Sequence, residues 1–256
     1  MLTAALNGLV RLCLAPVCAA CGSLLGEPLR NPVCADCWQA VRTVSPPWCA
    51  RCGDALPGWR AADPLCARCR RLTPLFVLAR SAGLYEGSLR AIVHAFKYGG
   101  RRALAAPLGR LMRDAGADVL AGADVAIPVP LHPYRAWQRG FNQADDLACQ
   151  LRLPVARVLR RRRHGPPQAS LPAARRHRNV RGAFAVRAWA PPASLRNAAI
   201  VLVDDVLTTG ATVQACAGVL LEAGVRSVRV LTAARAVPGP SAPRPRPPRP
   251  SAARHQ

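Results

Sequence analysis

The sequence predicts an α/β protein, a twisted and mostly parallel sheet flanked by helices, with a small cysteine-rich module ahead of it. Three observations carry this. Apolar stretches rich in β-branched residues alternate with segments of helical periodicity. One of them, Ile200-Val201-Leu202-Val203, shows no polar alternation, the pattern of a strand buried on both faces of a parallel sheet. Eight of the eleven cysteines stand in four Cys-x-x-Cys pairs, all within the first third of the chain.

A chain of 256 residues holds one α/β domain plus a small module. The net charge is +23, but all except one of the 36 basic residues are arginine, Lys97 being the single lysine. With abundant alanine and proline, that bias reads as composition as much as function, so basicity alone does not argue for nucleic acid. No apolar run approaches the length of a membrane span. Residues 1–16 are mildly apolar but lack a basic n-region, so a short helix over 1–17 is expected rather than a signal peptide, and with it a cytoplasmic protein.

The four pairs are Cys18/Cys21, Cys34/Cys37, Cys49/Cys52 and Cys66/Cys69. Each places two thiolates on one tight knuckle, and two knuckles supply a tetrahedral Cys₄ site for Zn²⁺. Twelve residues separate the first two pairs and thirteen the last two, so a double zinc ribbon over 18–70 with two structural zinc ions is the simplest assignment. Interleaved pairing, first with third and second with fourth, stays open. So does a disulfide or redox role, which near-equal spacing beside a cytoplasmic-type domain argues against. Cys13, Cys149 and Cys216 lack partners; the last two are read as buried packing residues on helices.

After a connection over 70–75, residues 76–84 read as a strand and 89–98 as a helix with Ile92, Val93 and Phe96 on its apolar face. Lys97 then stands before a Gly99-Gly100 break as a candidate phosphate contact, against the plainer reading of a solvated helix end. His94 reads as a surface or packing residue. The next strand, 124–129, ends at prolines and runs into a loop over 131–143, at the carboxyl edge where open α/β sheets bind ligands. There Arg135 and Arg139 offer planar donor forks for a diphosphate, and Asn142 and Gln143 offer neutral hydrogen bonds. Residues 151–187 contain eleven arginines and no acid, with Gly165-Pro166-Pro167 arguing against regular structure. Such a loop suits a lid over an anion site, a nucleic-acid contact, or a plain solvated loop.

The strand at 200–203 closes on Asp204-Asp205, and Thr208-Thr209-Gly210-Ala211-Thr212 leads into a helix over 213–221. Strand, tight turn and helix N-terminus together present converging N–H groups and a favourable dipole to an anion. Gly210 permits close backbone approach, and the threonines add hydroxyl donors. Two carboxylates would repel a phosphate, so they suit the vicinal hydroxyls of a sugar, with Mg²⁺ nearby. Residues 226–234 give a further strand. From 238 to 256 the chain is rich in Pro, Arg, Ser and Ala, which predicts a disordered basic tail.

The run 200–212 resembles the phosphoribosyl-pyrophosphate (PRPP) motif of type I phosphoribosyltransferases at all its positions. By that resemblance Asp204 and Asp205 hold the ribose hydroxyls, and Thr208, Thr209, Gly210, Ala211 and Thr212 hold the 5′-phosphate. Val129-Pro130-Leu131 with Arg135, Arg139-Gly140-Phe141-Asn142-Gln143, and the later Arg175-Arg176-His177-Arg178-Asn179-Val180 resemble the signature of the ComF family, which includes ComFC and GntX relatives. The resemblance implies a type I phosphoribosyltransferase fold over 76–237, in which Asp204, Asp205, Arg135 and Arg139 act on PRPP and Mg²⁺; Lys97, from its place before the glycine break, is the further candidate contact to PRPP. It implies a pentosyl transfer to a nucleobase acceptor, in nucleotide metabolism or in DNA uptake during competence. The alternative is a non-catalytic protein that senses PRPP or nucleotide and holds single-stranded DNA beside a helicase-like partner.

Overall fold

The computed structural model describes residues 15–29, 31–57, 64–162, 182–188 and 195–236. Most of the expected helix at 1–17, Cys13, the centre of the arginine-rich stretch (163–181) and the tail at 238–256 lie outside the described residues. Two short helices, α1 (Ala35–Gln39) and α2 (Ala67–Arg71), each begin on a knuckle cysteine. The chain then gives β1 (Leu78–Leu84), α3 (Gly87–Tyr98), α4 (Ala105–Ala115), α5 (Ala117–Leu120) and β2 (Val125–Pro128). Next come α6 (Pro133–Arg139), α7 (Gln143–Ala148), β3 (Leu159–Arg161) and β4 (Phe184–Val186). The last elements are β5 (Ala199–Leu207), α8 (Ala211–Glu222) and β6 (Ser227–Arg235).

Four strands form one parallel sheet in the order β1-β6-β5-β2. The two nine-residue strands take the centre, where a strand must be apolar on both faces, and Ile200 through Val203 are fully buried. On one face α3 lays down Leu89, Ile92, Val93 and Phe96, an i, i+3, i+4, i+7 stripe, against Val201 and Val203. On the other face α8 presents Val213, Cys216, Ala217 and Leu220 at the same spacing to Ile200 and Leu202.

The cysteine-rich segment is built into the sheet's edge. Cys18 and Cys37 join the core on the α3 face, while Cys49, Cys52 and Cys69 join the core on the α8 face. Between them the chain runs beside β1, whose Ala79 and Leu84 N–H groups donate to the carbonyls of Arg51 (2.7 Å) and Arg42 (2.8 Å). An edge strand is thereby capped and withdrawn from pairing with other chains. The approach is close: Gly53 has a left-handed φ of +69°, and a Cβ there would lie 2.7 Å from the Ala79 carbonyl oxygen.

Several expectations need correction. The strand does not stop at Val203. It runs through both acids to Leu207, because β6 offers a matching ladder (Asp204 opposite Thr232, Leu207 opposite Arg235) that outweighs the low strand propensity of aspartate. The loop at 131–143 contains α6, with Pro133 opening the helix and His132 capping it by accepting from the Tyr134 N–H at 3.3 Å. The strand ends at Pro128, while Pro133 marks a helix start. The arginine-rich stretch is not wholly irregular, since its two described ends pair as the antiparallel β3–β4. Cys216 is buried as expected, but Cys149 is exposed at the end of α7.

Candidate functional site

The eight paired cysteines form two clusters, Cys18/Cys21/Cys34/Cys37 and Cys49/Cys52/Cys66/Cys69, with all sulfurs of a cluster within 4.8 Å of one another. Sequential rather than interleaved pairing is therefore the arrangement. Four sulfurs at a Zn–S distance of about 2.3 Å sit roughly 3.8 Å apart in a tetrahedron. Cys21 and Cys34 sulfurs are 3.8 Å apart, and those of Cys52 and Cys66 are 3.6 Å apart, so the residues fit zinc. Without metal the thiols of each cluster divide: burial pushes Cys37 and Cys69 up to about 12, while others are held down. Burial opposes ionisation of Cys18, but N–H groups including those of Ala20 (3.4 Å) and Cys34 (3.3 Å) point at its sulfur and bring it down to about 6. Cys49 follows the same pattern, to about 7, with the Cys66 N–H at 3.3 Å. With four thiolates each, both sites are closed and structural.

At the carboxyl edge of the sheet, β5 ends in the acid pair and the turn that opens α8. Gly210 caps α8 with φ +77°, a left-handed conformation that glycine adopts without strain; a Cβ there would meet Val213 and Leu207 only at ordinary contact distances of 3.8 and 3.9 Å, which leaves conformation, not crowding, as the reason for glycine. Thr208 and Thr209 are exposed, Ala211 and Thr212 half-buried, and the Thr209 hydroxyl accepts from the Ala211 N–H at 3.4 Å. The turn thus presents a helix N-terminus and hydroxyls to solvent.

Side chains alternate along a strand, so Asp204 falls on the α8 face and Asp205 on the α3 face. Lys97, at the last turn of α3, reaches Asp205 Oδ1 at 2.9 Å, and its ammonium lies 5.9 Å from the centre of the Tyr85 ring. Among the described residues Asp204 has no such close cation. Burial, with Asp205 adding like charge, pushes its carboxyl up to about 8, against the pull of Lys97 and Arg161. A carboxyl that keeps its proton for want of compensating charge is one that a divalent cation would ionise, so Mg²⁺ fits this pair.

The arginines divide. Arg135 is exposed. Arg139 is half-buried, its guanidinium 4.6 Å from the centre of the Tyr98 ring and donating to Gln143 Oε1 at 2.9 Å, while its Nε is buried without a partner. Gln143 is fully buried, so it orients Arg139 rather than facing solvent. Asn142 is committed to the backbone: Oδ1 accepts from the Ala144 N–H and Nδ2 donates to the Val129 carbonyl. His94 is exposed against Tyr98, as a surface residue.

Sequence reasoning missed three contributors. Arg161 on β3 has its pKa lowered by burial and by nearby Arg135, and feels the Asp204 charge, so it joins the acid pair to the α6 arginines. Tyr98 supplies the ring on which Arg139 rests. Arg68, inside the last zinc knuckle, donates to the Thr209 carbonyl at 3.2 Å. Its position between two ligating cysteines masked it. An open cavity of about 1170 Å³ runs from Arg68 and Arg162 past Thr209 and Gly210 along the outer side of α8.

Residues 9–71 match the double zinc ribbon domain, and residues 138–245 match the phosphoribosyl transferase domain. The chain is 30% identical over 217 residues to competence protein F of Haemophilus influenzae, a match covering 81% of this chain and 92% of that protein. It is 36% identical over 216 residues to the DNA utilization protein YhgH of Salmonella typhi, covering 77% and 88%. Among solved structures it resembles a hypoxanthine phosphoribosyltransferase of Staphylococcus aureus at 12% identity and a TM-score of 0.32, over 56% of this chain and 76% of that one.

Proposed function

This chain belongs to the competence protein F (ComF) family, with a double zinc ribbon on a phosphoribosyltransferase fold, and on that premise we propose that it binds PRPP with Mg²⁺ at the carboxyl edge of its sheet. The observation that supports this most is the succession of a central parallel strand, a half-buried acid pair and a left-handed glycine at a helix N-terminus. The zinc ribbon spans 18–70, the transferase-like domain 76–237, and the protein works in the cytoplasm, where thiolate zinc sites stay reduced.

In this reading Thr208 to Thr212 receive the 5′-phosphate through N–H groups and hydroxyls. The sugar lies across the end of β5, so that Asp204 and Asp205 each accept from one ribose hydroxyl from their own side of the strand. Lys97 lets go of Asp205 in part and turns toward the ligand. Arg135 and Arg139 hold the diphosphate and, as the anomeric C–O bond breaks and a base nitrogen bonds to the anomeric carbon, stabilise the departing pyrophosphate. Mg²⁺, held by Asp204 and Asp205, supplies further charge neutralisation. The acceptor is a nucleobase, in nucleoside metabolism or in handling imported DNA.

Calorimetry of the full chain with PRPP and Mg²⁺, then pyrophosphate release with a panel of bases, tests this. Binding abolished by Asp204→Asn with Asp205→Asn supports it; an unaltered affinity in that double variant refutes it. A second reading, a PRPP-responsive protein that binds single-stranded DNA, is favoured by the exposed pair Tyr134 and Trp137, rings 6.4 Å apart, beside Arg135 on α6. Stacking on such rings and phosphate contacts predict binding that falls steeply with salt and shows little sequence preference. PRPP binding without turnover on any base, together with salt-sensitive oligonucleotide binding that Trp137→Ala weakens, selects this second reading.

A further inference from the structure

The second zinc ribbon grips the candidate phosphate loop from two sides. Arg68 lies between the ligating Cys66 and Cys69 and donates from Nη1 to the Thr209 carbonyl at 3.2 Å. Its Nη2 lies 3.6 Å from Oδ2 of Asp54, which follows the ligating Cys52 by two residues. Asp54 also pairs with Arg235, whose Nη1 donates to the Cys52 carbonyl at 2.8 Å. Arg235 is 3% exposed and stands opposite Leu207, the last residue of β5 before the loop. Both knuckles of one metal cluster are thus tied to the strand end and to the turn itself.

A trans peptide points its carbonyl and the following N–H in opposite directions. With the Thr209 carbonyl held toward the ribbon, a planar peptide aims the Gly210 N–H away from it. Arg68 therefore selects one orientation of the peptide on which anion binding depends. Zinc in this cluster fixes the backbone on both sides of Arg68 and the distance between Arg68 and Asp54. The first ribbon packs on the other face of the sheet, against α3, and serves as an internal control.

We propose that Arg68 is a positioning residue for the phosphate loop, through which zinc in the second ribbon and an anionic ligand at the loop strengthen each other's binding. Naming PRPP as that ligand rests on the function proposed above. Such linkage is reciprocal: whatever the metal does for the ligand, the ligand does for the metal.

The test follows each cysteine separately in the full-length protein, by isotope-coded alkylation and mass spectrometry under a zinc-selective chelator, with and without PRPP and Mg²⁺. PRPP is expected to slow labelling of Cys49, Cys52, Cys66 and Cys69 about fivefold, the low end of site–site coupling. Labelling of Cys18, Cys21, Cys34 and Cys37 is expected to hold steady. Arg68→Ala, still carrying two zinc ions, is expected to lose the difference. Equal slowing at both ribbons, or protection that survives Arg68→Ala, overturns the proposal. Should calorimetry show no PRPP binding to the wild type, the functional reading fails on its own. The coupling is then read from amide exchange of residues 208–212, where faster exchange in Arg68→Ala supports it and unchanged exchange overturns it.

Discussion

Lys97 and Asp205 meet at 2.9 Å on the α3 side of β5, leaving Asp204 on the other side with its charge answered, among the described residues, only at longer range. The lysine therefore acts on both acids, as the direct partner of one and as a distant positive charge for the other. Lys97→Met removes a contribution that lowers the Asp204 pKa, so that carboxyl rises above about 8. Under the proposed function, in which Mg²⁺ and ribose need the ionised pair, the pH midpoint for PRPP·Mg binding should move up; each unit costs about tenfold in affinity below the midpoint. Calorimetric titrations between pH 6 and 9.5 measure the shift, and an unmoved midpoint contradicts it.

Asp204 also links stability to pH. Its folded pKa of about 8 lies above the usual 3.8, so the folded state binds the extra proton. The neutral carboxyl's contribution is full below about pH 4 and is lost as pH rises through about 8. Asp204→Asn cannot ionise, so its melting temperature should match the wild type near pH 4 and exceed it at pH 8.5 by roughly 3 °C or more, as for about 1 kcal/mol. Thermal melts across that range decide it, and a gap that does not widen with pH counts against the burial of this carboxyl.

Two glycines with similar φ should respond differently to alanine. At Gly53 the new Cβ meets the Ala79 carbonyl oxygen at 2.7 Å as well as suffering left-handed strain, so Gly53→Ala should cost about 2 kcal/mol or more. At Gly210 nothing lies closer than 3.8 Å, and Gly210→Ala should cost about 1 kcal/mol from conformation alone. Urea unfolding midpoints separate the two. The ligand effect should run the other way, with PRPP binding falling for Gly210→Ala and persisting for Gly53→Ala.

Arg235→Met leaves Asp54 with only the longer Arg68 contact at 3.6 Å and strands the Cys52 carbonyl at the edge of the α8-side core. Breaking a mostly buried pair from one side costs roughly 3 kcal/mol. Arg235→Met with Asp54→Leu should recover part of that loss, since the buried charge is then gone while the Cys52 carbonyl stays unpaired. Chemical denaturation of the two variants checks this, and a double variant no more stable than the single one would show that the pair itself was not the cause.

The acid pair, the glycine turn and the eight zinc ligands were legible because each requires particular residue types at fixed spacing. The knuckle pairing was narrowed by loop length and decided by where the sulfurs lie. Arg68 and Arg161 were not legible: one sits among ligands and the other in an arginine run, and only long-range packing brings them to Thr209 and toward Asp204. Helix α6 was missed because residues 131–143 read as one loop after the strand-ending prolines, with Pro133 not weighed as a first-turn residue. The division of the two acids between faces follows from strand continuation past Val203, which the ladder to β6 supplies and no local signal announces.

The seam along β1 also constrains how this protein is made. The cysteine-rich segment is synthesised first, yet its second half packs on Val228 and Val230, and β1 pairs with β6, the last strand of the sheet. Metal can load early, but the surfaces that bury it do not exist until the chain has passed residue 235. Assembly is of high contact order, and a nascent chain cut short before β6 leaves β1 unpaired on the edge that β6 would take.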